Sequence, residues 1–119
     1  MAITTAAVIK DAIGEAAAVA EIGFHALRGG HLARAEARFR GALALLSAEE
    51  LPYLRATLHH HLALVLLEQH KDADEAEHHA AAALALRWDK TSRLASEDRA
   101  LLARIQGAIQ HTEGELHDH

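Results

Sequence analysis

Residues 23–45, GFHALRGGHLARAEARFRGALAL, decide how this chain folds. The stretch reads as the end of one helix, a Gly29-Gly30 break and a second helix rich in small residues. Consecutive glycines enter left-handed backbone cheaply and are a strong helix stop. Beyond them, Leu32, Ala35, Phe39, Ala42, Leu43 and Leu46 recur at helical spacing and define one packing face. Gly23, inside the first helix, lacks a Cβ and marks a place of close approach. Residues 63–86 repeat the plan, with apolar Leu66 and Leu67, a polar break at Lys71-Asp72-Ala73-Asp74, and alanines at 76, 80 and 83.

Composition agrees with an all-α fold. Half of the 119 residues are hydrophobic, mostly Ala and Leu, with one Trp, one Tyr and two Phe. Ala and Leu are strong helix formers, whereas the residues that favour strands are scarce. The length suits a single helical domain, residues 1–119. Cysteine is absent, which removes disulfides, thiolate metal sites and cysteine nucleophiles. The formal charge of −5 disfavours a broad nucleic-acid footprint. The opening MAITTAAVIKDAIGEAAAV has no basic segment ahead of an apolar run and reads as a poor secretory leader, and no apolar run reaches membrane-spanning length. A cytoplasmic location is the expectation.

About five helices follow from the pattern. The first runs from Thr4 or Thr5 to Leu27 or Arg28, with Thr5 as a cap, and the second from His31 to Leu46. Ser47 and Glu50 have capping-box spacing, and Pro52 suits a first helical turn. The third helix is expected from Pro52 to Glu68 or His70, with a broad apolar face suited to a central position. The fourth runs from Asp74 to Leu86, capped by Asp72 or Asp74, with Trp88 after it as a packing anchor. The fifth spans Ser92 to Ile109, with Asp89, Thr91 and Ser92 as alternative caps, followed by a polar, frayed tail.

With these residues in view, the chain resembles tetratricopeptide-repeat proteins, over about residues 16–86. Gly23, Gly30, Ala35, Phe39 and Ala42 match the glycine, turn and small-aromatic-small positions of one unit, near 16–49. A second unit near 57–90 matches at Ala76 and Ala83 but carries Leu64 for the helix glycine, Lys71 for the turn glycine and Ala80 for the aromatic. The last helix would be a cap. The resemblance implies antiparallel hairpins whose first helices line a concave groove. By position, that groove takes Phe24, Leu27 and Arg28 from the first unit and Leu58, His61, Val65, Glu68 and Gln69 from the second. A noncatalytic interaction or assembly module, binding a protein, a peptide or a second copy of the chain, is the implied function.

Histidines carry the alternative. His59-His60-His61 and His78-His79 fall on the third and fourth helices, and Glu75/His78 form a Glu-x-x-His pair. Imidazole and carboxylate bind divalent metals, so His60, His61, Glu75, His78 and His79 are the candidate ligands of a metalloprotein or metalloenzyme. No cofactor is otherwise expected. Elbow, phosphate-loop and catalytic-dyad motifs are missing from the sequence, so no catalytic residue is assigned.

Overall fold

The computed structural model describes residues 5–117, with side chains from Asp11 to His111. They form five α-helices: α1 (Thr5–Arg28), α2 (Leu32–Leu45), α3 (Pro52–Glu68), α4 (Ala73–Leu86) and α5 (Arg93–His117). No strand occurs among the described residues. Each helix packs on the next in chain order, and α3 also touches α5. The all-α, hairpin-by-hairpin expectation holds. Thr5's predicted capping side chain lies outside the described ones.

Two hairpins turn in the same way. After α1, Gly30 N–H donates to Leu27 O at 3.0 Å and His31 N–H to Ala26 O at 2.9 Å. After α3, His70 N–H donates to Leu67 O and Lys71 N–H to Leu66 O, both at 3.0 Å. This pair of bonds is the Schellman closure of a helix end, which needs left-handed backbone at its penultimate position. Gly30 supplies it at φ 79°, and His70 at φ 55°. The turn glycine is therefore matched by His70, not by Lys71 as the sequence alignment has it. The reason is one extra residue. In the first hairpin His31 both closes α1 and starts α2, without a side-chain cap. In the second, Lys71 closes α3 and a separate residue, Asp72, caps α4 by accepting from Glu75 N–H at 3.0 Å.

The same slip corrects the first helices. Ala16, Gly23 and Ala26 of α1 correspond to Ala56, Ala63 and Leu66 of α3, all buried, so Ala63 rather than Leu64 answers Gly23. In the second helices Ala35, Phe39 and Ala42 correspond to Ala76, Ala80 and Ala83, all fully buried. Small residues at these places let paired helices approach. A Cβ on Gly23 would stand 2.7 Å from Phe39 Cε1 and 3.1 Å from Arg38 Cβ, inside contact distance. Phe39 fills that gap and packs on Phe24 with ring centroids 5.2 Å apart.

Position in the stack decides what else is buried. Leu58, Leu62 and Val65 of α3 are enclosed, whereas their counterparts on α1, Ala18, Ile22 and His25, are exposed. α3 has neighbours on more sides, as its broad apolar face implies, while α1 is terminal. Ser47 and Glu50 do bond, Ser47 N–H to Glu50 Oε1 at 2.8 Å, but they close a turn, because α3 starts only at Pro52. Ser92 is the cap of α5, accepting from Ala95 N–H at 3.1 Å, while Asp89 accepts from Thr91 within the preceding turn. α5 continues past Ile109: its backbone is helical to His117, with no proline to interrupt it.

Candidate functional site

Pro52 at the first turn of α3 fixes where Tyr53, Ala56 and His60 project. Ala56 and His60 are four residues apart and share a face. At the neighbouring end of α4 the helix stops at Leu86, and Arg87 takes an extended conformation at φ −69°, ψ 123°. Arg87 turns inward and Trp88 outward. Trp88 is 98% exposed, so the packing-anchor expectation is overturned: the extended cap at Arg87 sends the indole into solvent. Tyr53 is 69% exposed. A cavity of about 140 Å³ is lined here by Pro52, Tyr53, Ala56, Leu86, Arg87 and Trp88.

Beside it is the buried charge found among the described side chains. Asp98 of α5 is 0% exposed and Arg87 only 7%. Arg87 Nε donates to Asp98 Oδ2 at 2.6 Å, and Nη2 reaches Oδ1 at 3.4 Å. His60 Nδ1 lies 2.8 Å from Asp98 Oδ1. An ionised carboxylate only accepts, so His60 donates to it from Nδ1. Three elements are thereby tied together: α3, the end of α4, and α5. Arg87 Nη1 is buried with no hydrogen-bond partner. A donor left this way costs about 1–3 kcal/mol until something accepts from it.

A second cluster joins α2, α3 and α4. Arg40 clamps Glu75 with two bonds, Nη1 to Oε2 at 2.6 Å and Nη2 to Oε1 at 2.8 Å, and its Nε donates to Glu36 at 3.0 Å. The Arg40 guanidinium holds the Glu75 carboxyl down at about 2. His59 and His79 face each other with Nδ1 atoms 2.8 Å apart and ring centroids 5.1 Å apart. Burial pushes His59 down to about 4, helped by the neighbouring His79, Arg55 and His78. His79 is also lowered, chiefly by burial, against the pull of Glu75. Both rings are therefore neutral at pH 7, one Nδ1–H donating to the other Nδ1 lone pair.

Of the five candidate metal ligands, Glu75 and His79 come together, with Glu75 Oε2 3.4 Å from His79 Nε2, while the others point elsewhere. His60 goes to Asp98 and Glu75 to Arg40. His61 bonds Thr57 O at 2.8 Å and stands edge-on to Phe24, with burial lowering its pKa. His79 faces His59, and His78 is exposed. Among the described residues no group of three or more His, Cys, Asp or Glu could hold a metal ion.

The predicted groove divides in the same way. Leu58 and Val65 are completely enclosed, which corrects their placement on a binding surface: they are core, because α3 is covered on that face. Phe24, Leu27 and His61 are partly covered, with Phe24 and Leu27 packed against the core and His61 edge-on to Phe24. Gln69 donates to Glu36 at 2.9 Å, and Glu68 reaches Arg104 of α5 at 3.4 Å. Of the eight residues only Arg28 and Glu68 are exposed.

Sequence reasoning missed Tyr53, Arg87, Asp98 and His59. Asp98 did leave a signal. It stands within the apolar series Leu94, Leu101 and Ile105 at helical spacing, a charged residue where α5 faces the core.

Comparison with known proteins gives no matching family model, no matching curated protein and no matching solved structure. Among the described residues, no helix is long and apolar enough to cross a membrane.

Proposed function

We propose that this chain is a noncatalytic protein-interaction module, built as two tetratricopeptide-like hairpins and a capping helix. The observation that carries the reading is the exposed Tyr53–Trp88 pair flanking a cavity. A folded domain gains nothing by leaving its one Trp in water, whereas Trp and Tyr are the residues that dominate binding surfaces. The support shifts the expected contact surface from the α1–α3 groove to the junction of α3 and α4. Two of the eight positions of the α1–α3 groove, Leu58 and Val65, are core residues that a partner does not reach.

Catalysis receives less support. His60 is oriented by a buried carboxylate, as a general base would be, but Ser47 and Ser92 are engaged in a turn and a cap. The test is affinity capture on the immobilised intact chain and on a Tyr53→Ser/Trp88→Ser variant. Both side chains are exposed, so the variant should keep its helical circular dichroism. Loss of specifically captured protein is the expected result. Undiminished capture by the folded variant refutes the site.

A further inference from the structure

His59 and His79 meet nitrogen to nitrogen across the α3–α4 hairpin. Their Nδ1 atoms are 2.8 Å apart and their ring centroids 5.1 Å apart, so each ring presents its nitrogen to the other. Two imidazole nitrogens brought this close from different helices are the beginning of a metal site.

Both nitrogens can offer a lone pair. Glu75 Oε2 lies 3.4 Å from His79 Nε2, and two bonds from Arg40 keep that carboxylate anionic. It accepts the Nε2–H of His79, which leaves Nδ1 of the same ring bare. In the free chain His59 fills the gap by donating its own Nδ1–H. Burial holds both rings neutral at pH 7. His59 can therefore exchange its Nδ1 hydrogen for one on Nε2, with no net proton release, and present the second lone pair. A carboxylate behind a ligating imidazole fixes its tautomer and orientation, which is the place Glu75 holds.

The spacing suits a metal with nitrogen ligands. Two bonds of about 2.0–2.1 Å span about 2.9 Å at a right angle and about 3.4 Å at the tetrahedral angle. From 2.8 Å, the rings need to part by about 0.1–0.6 Å and tilt toward open space. That space is a cleft of about 360 Å³ lined by Arg40, Leu43, Ala44, His59, Leu62 and His79, where water can complete the coordination. Around Arg40, the carboxylates of Glu36 and Glu75 balance Arg40 and Lys71. Arg55 adds a positive charge on the His59 side, which weakens cation binding without filling the cleft.

We infer that His59 and His79 bind a divalent transition-metal ion of the zinc class through their Nδ1 atoms, with water in the remaining positions and Glu75 as the outer carboxylate behind His79. Neutral imidazoles suit zinc, copper and nickel, whereas magnesium and calcium take oxygen ligands. The described residues offer no cluster of three or more ligands, so the protein's share is two imidazoles. The ion would clamp α3 to α4, and the inference is independent of any partner at the Tyr53–Trp88 surface.

Thermal unfolding of the intact, EDTA-stripped and dialysed chain at pH 7.4 tests it, with Zn2+ and with Mg2+. The chain has 11 histidines, but scattered ones bind metal in the unfolded state too and move Tm little. A site joining two helices exists only when the chain is folded. Half of a four-ligand zinc site implies a Kd of about 1–100 μM, and Zn2+ at about 100 times that Kd should raise Tm by about 5–15 °C. Mg2+ should not. His59→Gln and His79→Gln, each referred to its own metal-free Tm, should lose most of the shift. His25→Gln, at an exposed position of α1, should keep it. Equilibrium dialysis of the folded proteins should give the parent one more Zn2+ per chain than either cluster variant. No shift in the parent, an equal shift with Mg2+, or a shift and stoichiometry that survive either cluster substitution overturns the site.

Discussion

Replacing Asp98 with alanine removes the acceptor of the Arg87–Asp98–His60 cluster and leaves a guanidinium behind in a site where Arg87 is 7% exposed. Two bonds from Arg87 and one from His60 are lost together. Breaking a buried pair from one side costs about 3–5 kcal/mol, because the surviving charge has neither water nor partner. That is a large part of the roughly 5–15 kcal/mol that holds a domain together. At about 3–6 °C per kcal/mol for a domain of this size, Tm should fall by about 10–25 °C.

Replacing both charges is the informative contrast. Arg87→Met/Asp98→Leu removes the uncompensated guanidinium and fills similar volume with apolar groups. Such exchanges are neutral or stabilising by about 1–4 kcal/mol in other buried pairs. Here His60 loses its acceptor, but its side chain is 17% exposed and can reach water. The double variant should therefore lie within about 2 kcal/mol of the parent and well above Asp98→Ala. Thermal and urea unfolding followed by circular dichroism measure all three. An Asp98→Ala loss under about 1 kcal/mol, or a double variant as unstable as the single, would refute the assignment of Arg87 and Asp98 as a buried, mutually dependent pair.

Gly23→Ala should destabilise by about 1–3 kcal/mol, since the new Cβ meets the Phe39 ring at 2.7 Å; a parent-like urea midpoint contradicts the close approach. His70→Gly should stabilise by about 0.5–1 kcal/mol by relieving left-handed backbone at φ 55°, and an unchanged or lower Tm argues against that strain. The His59–His79 pair should make stability depend on pH. Burial and neighbouring charge hold His59 near 4 when folded, so between about 6.5 and 4 the unfolded chain binds more protons. Stability is then present above about pH 6.5 and lost as pH falls toward 4, by about 1–2 kcal/mol once solvent screening at this half-buried site is allowed for. His59→Gln should flatten that part of the unfolding profile, and an unaltered slope removes the pair as its source.

The fold was readable because helix ends and packing positions are written in local chemistry. Gly29-Gly30 announces the first turn, and Ala35, Phe39 and Ala42 announce the face behind it. His70 was not readable as the second turn, because histidine, although enriched at positive φ among non-glycine residues, takes it far less often than glycine does. With that residue unrecognised, Lys71 took the glycine's place in the alignment and every first-helix match moved by one, exchanging Ala63 for Leu64. Leu58 and Val65 were misplaced on the groove for a different reason. Helical periodicity says which residues share a face, but only the stack says whether that face is covered, and on α3 it is.

The candidate site lies where periodicity gives no guidance, between the ends of helices. Arg87 and Trp88 are adjacent, yet one is enclosed and the other is almost wholly in water. Their separation follows from Asp98, eleven residues further on, which draws Arg87 inward. A charged residue on the core face of α5 demands a partner, and the first basic residue after α4 answers it. Turning that side chain in leaves the next one to turn out, because successive residues of extended backbone project to opposite sides. The exposed indole is thus a consequence of how α5 is fastened to α3 and α4. Anything that loosens Asp98 should disturb Trp88 as well, so the Asp98→Ala variant that tests the buried pair should also alter the emission of Trp88, while a variant distant from the pair, such as His70→Gly, should not.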